Sequence, residues 1–304
     1  MRQAAARIVA DEPRLPNSQF SIFNFQFSGL RRFLSQSALN VVGLFLVGLI
    51  LLTAIVGEAV APYHPNKPDL QQRFQAPSAQ HWMGTDNFGR DIFSRVLSGA
   101  RVSLQVALIV LGVSVLIGFL VGAVAGLAGG LTDELLMRLT DLFLAFPALV
   151  LAAAIAATLG RNLTNTMIAL ATIYWPWYAR LVRSQVLVIA RQDYITATRA
   201  LGVPVWRVIW RHLLPNVLPL ILVQISLDAG YAILSTSSLS FLGLGAQPPS
   251  PEWGAMLTAA REFMREAWWY MAFPGLALTL TVLGFNLLGD GLRDYLDPRL
   301  RGRL

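Results

Sequence analysis

The run ALNVVGLFLVGLILLTAIVGEAVA at 38–61 holds a single charge, Glu58, and is closed by Pro62 and Pro65. About 20 consecutive apolar residues are needed to cross the hydrocarbon of a bilayer, where a helix satisfies its own backbone polar groups. This run is long enough, and five more follow at 102–128, 142–159, 163–184, 217–243 and 269–290. The expected fold class is therefore an all-α membrane protein with six transmembrane helices. Only 13% of the 304 residues are charged, against about a quarter in an ordinary soluble domain. The fourth run is the least apolar. Arg180 and Arg183 sit at its inner end, where long side chains snorkel to the surface, after the interfacial YWPWY at 174–178.

Basic residues set the expected orientation. With both termini inside, 5 precede the first span, Arg138 follows the second, 6 lie between the fourth and fifth counting Arg180 and Arg183 at the end of the fourth, and 4 lie in the tail. That places 16 inside against 8 outside, as the positive-inside rule requires. WWY at 268–270 fits the outer aromatic belt. Residues 1–37 lack an early apolar core, so the first span reads as an uncleaved anchor, preceded by a short interfacial helix at 22–34.

Several chemistries are excluded. There are no cysteines, and His64, His81 and His212 are far apart in sequence, so no metal site is expected. The net charge of +7 is scattered at the ends of apolar runs rather than gathered on one face, which argues against nucleic acid. No glycine-rich phosphate loop or Ser/His/Asp set stands out. The chain reads as no enzyme and needs no cofactor; if transport is energised, the energy comes from elsewhere. Glu252, Glu262 and Glu266, near arginines, read as a solvated outer face.

Gly118, Gly122 and Gly126 recur every four residues in the second span, with Gly130 just beyond it. They fall on one helical face and read as a packing seam rather than a flexible gate. Asp228 is the most interior ionisable residue, about 16 Å along the fifth span. Intramembrane carboxylates are costly and face a bundle interior or an aqueous path. Two readings stand here. Asp228 lines a substrate route and attracts a cationic group, or it is a protonated or hydrogen-bonded packing residue near Gln224.

Between the fourth and fifth spans lies TATRALGVPVWRVIWRHLLPN, 196–216. Gly202 permits a sharp turn and Pro204 suits a helix start. Arg207 and Arg211 lie one turn apart on an otherwise apolar short helix, and Pro215 is expected to close the unit. Too short to span and too apolar for water, the element lies on lipid or docks to another protein.

From Thr196, TAT is followed by three residues and Gly202, then nine residues to His212, then Leu213, Leu214 and Pro215. This spacing resembles the EAA loop of permease subunits in binding-protein-dependent ATP-driven importers, with threonines in two places and His212 where isoleucine is usual. MGTDNFGRDIFSRVLSGARVSL (83–104), GGLTDELLMRLTDLFLAFP (129–147), SLSFLGLGAQPPSPEWGAML (238–257) and FNLLGDGLRDYLDPRLR (285–301) are similar to the C-type permease of the dipeptide/oligopeptide/nickel branch. In these motifs Asp86, Arg90 and Asp91 read as a brace for an outer helix. Asp133, Glu134 and Asp141 read as bundle braces paired with Arg138 or other basic groups.

The resemblance implies a type I ABC importer (MetI-like) permease fold in a bacterial inner membrane, with both termini cytoplasmic. It implies a cytoplasmic tail (1–37), a first span with an outer loop (38–100), and a permease core (101–304) carrying the coupling loop at about 191–216. The implied partners are a second, B-type permease, two cytoplasmic ATPase subunits, an extracytoplasmic solute-binding protein and the lipid bilayer. Ala197, Arg199, Gly202, Arg207, Leu214 and Pro215 would dock the ATPase, and Asp228 and Gln224 would line the path. The solute would be a di- or oligopeptide, with nickel or glutathione-like peptides as family alternatives. A secondary transporter or channel working without an ATPase is the rival reading, which only Asp228 favours.

Overall fold

The computed structural model describes residues 33–35 and 37–296. Its helices are α1 (Ala38–Val60), α2 (Ile92–Ala128), α3 (Gly130–Leu144), α4 (Ala148–Leu159), α5 (Leu163–Ile189), α6 (Asp193–Ala200), α7 (Val205–Val208), α8 (Leu214–Phe241), α9 (Trp253–Ala260) and α10 (Trp268–Leu296). A π turn, Ile209–Leu213, joins α7 to α8. The interfacial helix expected at 22–34 lies outside the described residues except for its last two positions, as does the tail after Leu296.

Among the described residues, four helices are long and apolar enough to cross a membrane: α1, α2, the continuous Val205–Phe241 helix and α10. The bent pair α3–α4 makes a fifth if counted as one span. The expectation of an unbroken third span at 142–159 is corrected: α3 and α4 meet at 87°. Pro147 caps α4 with φ −58°, and its ring disfavours helical backbone at Phe146. α5, at 27 residues, has the length, but Asn165, Arg180 and Arg183 cut its apolar run. The second span begins ten residues earlier than expected. Asp91 caps it, accepting from the Ser94 N–H at 2.8 Å and the Ser94 hydroxyl at 2.7 Å. The 37 residues of α2 rise about 55 Å, well beyond the hydrocarbon.

α2 and α5 form the central pair. A Cβ on Gly118 would meet the Tyr178 side chain and the Trp175 carbonyl, one on Gly122 the Ala179 carbonyl, and one on Gly126 the Val186 side chain. Lipid tails are as apolar as leucine, so helices in a membrane associate through such close approach rather than through hydrophobic burial. Gly130 has φ +53° and open space around it, so it takes part in the α2–α3 turn and not in the seam. Asp133 ties α3 to α5 through Arg183 at 2.5 and 2.6 Å, and Asp141 does so through Arg180 at 2.5 Å. Glu134 pairs with Arg138 on the exposed face of α3.

At the end of the bundle where α9 lies, loops before α2 and after α8 form a closed cap. Arg95 donates to the carbonyls of Pro65, Pro249 and Ser250 at 2.9–3.3 Å, joining segments more than 150 residues apart. Asp86 holds Arg90 at 2.6 Å, and the Trp269 indole N–H donates to the Thr85 carbonyl. Asp86, Arg90 and Asp91 thus brace this cap, as their motif implied. His81 is buried here with Asp91 at 2.8 Å, an acidic neighbour that its sequence surroundings did not reveal.

Glu252 is not on a solvated face. It is 1% exposed and caps α9, its oxygens accepting from the Gly254 N–H (2.9 Å), the Ala255 N–H (2.8 Å) and the Ser237 hydroxyl (3.0 Å). Three donors at one helix start hold the group where desolvation alone would exclude it. Glu252→Gln replaces one accepting oxygen by an amide N–H₂ facing donors. It is expected to destabilise the purified protein by about 1–3 kcal/mol, seen as a lower midpoint of thermal unfolding in detergent. An unchanged midpoint would count against the cap.

Candidate functional site

The loop between α5 and α8 is built around Gly202. Its φ of +69° lies in the left-handed region that glycine adopts without steric cost. The Val203 N–H donates to the Thr198 carbonyl at 3.1 Å, the long bond of a Schellman cap on α6. Pro204, at φ −64°, then starts α7. Ile195, Val208, Ile209 and Leu213 turn inward and pack with Phe119 and Ala123 of α2 and Val182 and Val186 of α5. The loop is thereby seated on the ends of the central helix pair.

Pro215 does not close the unit, contrary to expectation. The chain is helical from Val205 to Phe241. In the π turn the Leu214 N–H reaches back five residues to the Ile209 carbonyl. This wider turn takes up the register where Pro215 offers no N–H and its ring would crowd a normal helical turn.

Opposite the buried stripe the loop shows an open face. Ala197, Gly202 and Arg207 are exposed there, and the Arg207 guanidinium lies 5.3 Å from the centre of the Trp206 ring. Leu214 and Pro215 are only half-exposed, and Leu214 packs against the inward cluster. The Arg199 side chain lies outside the described residues. The sequence-based set omitted Leu201, Val205, Trp206 and Trp210, which are 81%, 61%, 60% and 50% exposed. Two tryptophans and a leucine left open beside arginines were the available signal.

A second feature lies farther along the continuous helix. α4, α5 and α8 line a half-open cavity of about 500 Å³. Asp228 and Gln224 both line it, one helical turn apart. The Tyr178 hydroxyl donates to one Asp228 oxygen at 2.7 Å, and the Gln224 amide donates to the other at 3.0 Å. Tyr174 is fixed by Ser235 at 3.3 Å. Asp228 is therefore hydrogen-bonded into the bundle, as the packing reading expects, and it also borders a cavity. Among the described residues no basic side chain pairs with it.

Residues 118–302 match the family described as binding-protein-dependent transport system inner membrane component. This match takes in the glycine seam, the Gly202 loop and the cavity helices. The chain belongs to this family of transport permeases. Residues 27–77 of the permease match the N-terminal TM domain of oligopeptide transport permease C. The permease is 46% identical over 270 residues to the probable D,D-dipeptide transport system permease protein DdpC of Escherichia coli, covering 89% of this chain and 91% of that one. It is 45% identical to the dipeptide transport system permease protein DppC of Alkalihalophilus pseudofirmus, covering 88% of each. It is 44% identical to the glutathione transport system permease protein GsiD of Pectobacterium atrosepticum, covering 89% of this chain and 90% of that one. As a member of this family it is a multi-pass inner-membrane transport component, and such permeases leave ATP hydrolysis to separate subunits.

Proposed function

We propose that this permease imports di- or oligopeptides, forming a path through the bacterial inner membrane together with a second, B-type permease. Of two cytoplasmic ATPase subunits in the complex, one grips the Gly202 loop of this chain, and an extracytoplasmic binding protein delivers solute at the α9 end. The chain crosses six times with both termini cytoplasmic: α1, α2, the bent α3–α4 pair, α5, the Val205–Phe241 helix and α10. Residues 38–100 supply the first span and outer loop, and 101–304 the core. The Arg180 and Arg183 ends of α5 and the loop arginines then face the cytoplasm, where basic residues concentrate.

One observation carries this reading. The exposed face at Trp206 and Arg207 and the cavity at Asp228 belong to the same continuous helix. A motor that binds that face differently in its two nucleotide states shifts the helix between two positions. The dipeptide and glutathione systems named for the relatives support a peptide solute.

The chain has no cysteine, so Ala197→Cys and Arg207→Cys are single reporters. In assembled complexes reconstituted in liposomes, a reagent with a thiol-reactive maleimide at one end and a photoactivated benzophenone at the other, which inserts into C–H bonds of protein or lipid, is expected to join both positions to an ATPase subunit. Uptake of alanyl-alanine is expected to require ATP and binding protein. Adducts with lipid alone in a complex that actively imports would overturn the docking. Uptake by the purified chain without any ATPase would establish the secondary transporter instead.

A further inference from the structure

We infer that the cavity at Asp228 is a selectivity site for the ammonium end of the solute. This rests on the proposal that the cavity belongs to the path.

The lining is chemically lopsided. Asp228 is its one carboxyl group, and no lysine, arginine or histidine joins it. Its two hydrogen-bond donors, Tyr178 and Gln224, are neutral, so they orient the carboxylate without cancelling its charge. Each carboxylate oxygen can accept two hydrogen bonds and takes one of these, so both keep capacity for a further donor. A charge inside a membrane helix with no counter-charge is costly, and a cation arriving beside this carboxyl group would offset that cost.

The remaining walls select which cation. Tyr174, Trp177 and Tyr231 line the same space, and aromatic faces attract organic ammonium groups through the ring quadrupole. Ser235 and Ser238 add hydroxyl acceptors. A hard metal ion takes six or more oxygens in a compact shell, which walls of tyrosine, tryptophan and leucine do not supply. A volume of about 500 Å³ lies in the range of small-molecule sites. With no positive group in this lining, the carboxylate end of a zwitterionic peptide finds its complement outside this wall. The cavity thus takes one end of the solute and leaves the other to a neighbouring surface.

The test is uptake of alanyl-alanine by the complete complex with its binding protein, in liposomes, normalised to assembled complex. Leu234→Trp, filling the cavity, is expected to reduce uptake by about tenfold or more whatever the role of charge. Wild-type uptake by Leu234→Trp removes the cavity from the path, and the inference with it. Asp228→Glu is expected to retain at least about tenfold more uptake than Asp228→Asn. Asparagine is the closer isostere and still accepts from Tyr178, so a purely hydrogen-bonding role ranks the two the other way. If Leu234→Trp blocks while asparagine equals or exceeds glutamate, the path stands and the ammonium site falls. Should neither Asp228 variant assemble, Tyr231 decides. Tyr231→Leu below Tyr231→Phe by about threefold to fivefold supports the site, and equal uptake overturns it.

Discussion

Gly202→Val is expected to lower ATP-driven uptake by about tenfold or more and to reduce ATPase recovery with the purified complex in parallel. The amount of inserted permease should stay within about twofold of wild type. Apart from its chain neighbours, no atom of the described residues lies within 4 Å of the position a Cβ would take at Gly202, so space is not the obstacle. The cost comes from the backbone. At φ +69° a residue with a Cβ loses about 1–2 kcal/mol, more when it is β-branched. The loop can shed that strain by opening the Schellman cap and re-aiming α6 against α7, which spoils a face whose parts must meet a partner together. Insertion depends on the apolar runs and is spared. Asparagine tolerates left-handed backbone better than alanine or valine, so activity should fall in the order Gly, Asn, Ala, Val. Coupled transport by Gly202→Val at the wild-type rate would show that loop geometry does not matter to the motor.

Gly122→Val should act at an earlier step, by removing folded protein. A Cβ there would sit 2.9 Å from the Val182 Cβ and 3.0 Å from the Arg183 backbone nitrogen, and closer still to the Ala179 carbonyl. Backbone cannot rotate out of the way as a side-chain tip can. The helices must separate, and the contacts at Gly118 and Gly126 on the same face loosen with them. Overpacking a well-packed interior costs about 1–3 kcal/mol, and no hydrophobic gain draws the pair back together in lipid. The expected result is loss of the monodisperse peak in detergent size-exclusion chromatography and a several-fold drop in accumulation. Gly112 lies on the same helix with nothing within 4 Å of its Cβ position, so Gly112→Val should behave as wild type. Equal recovery of Gly122→Val and Gly112→Val would refute the seam.

The parts of this fold visible in the sequence are those set by local chemistry. The apolar runs, the seam spacing and the turn at Gly202 depend on residues close together in the chain. The paired braces Asp133 and Asp141 were legible as well, since charges at the membrane surface seek partners, although Arg183 and Arg180 could only be named once α3 and α5 were placed side by side. Glu252 shows where local reading stops. Nearby arginines suggested a solvated acid, whereas the donors that bury it include Ser237 at the end of α8. Pro215 misled for the opposite reason. Proline after a short helix signals a stop, but a π turn carries the helix past it. Pro147 was the missed cue, since the residue before proline avoids helical backbone and a continuous span through it was improbable. On the loop, sequence spacing marked the turn, yet only the packing of Val208 and Leu213 decided that Trp206 and Trp210 would be left open.

The helix from Val205 to Phe241 touches other elements along its whole length. Near its middle, Asp228 is fastened to Tyr178 of α5, and toward its far end Ser237 grips the Glu252 cap. Because the helix is held at its first turns, at Asp228 and at Ser237, a push at the Trp206 tip is felt at the Glu252 cap through one backbone.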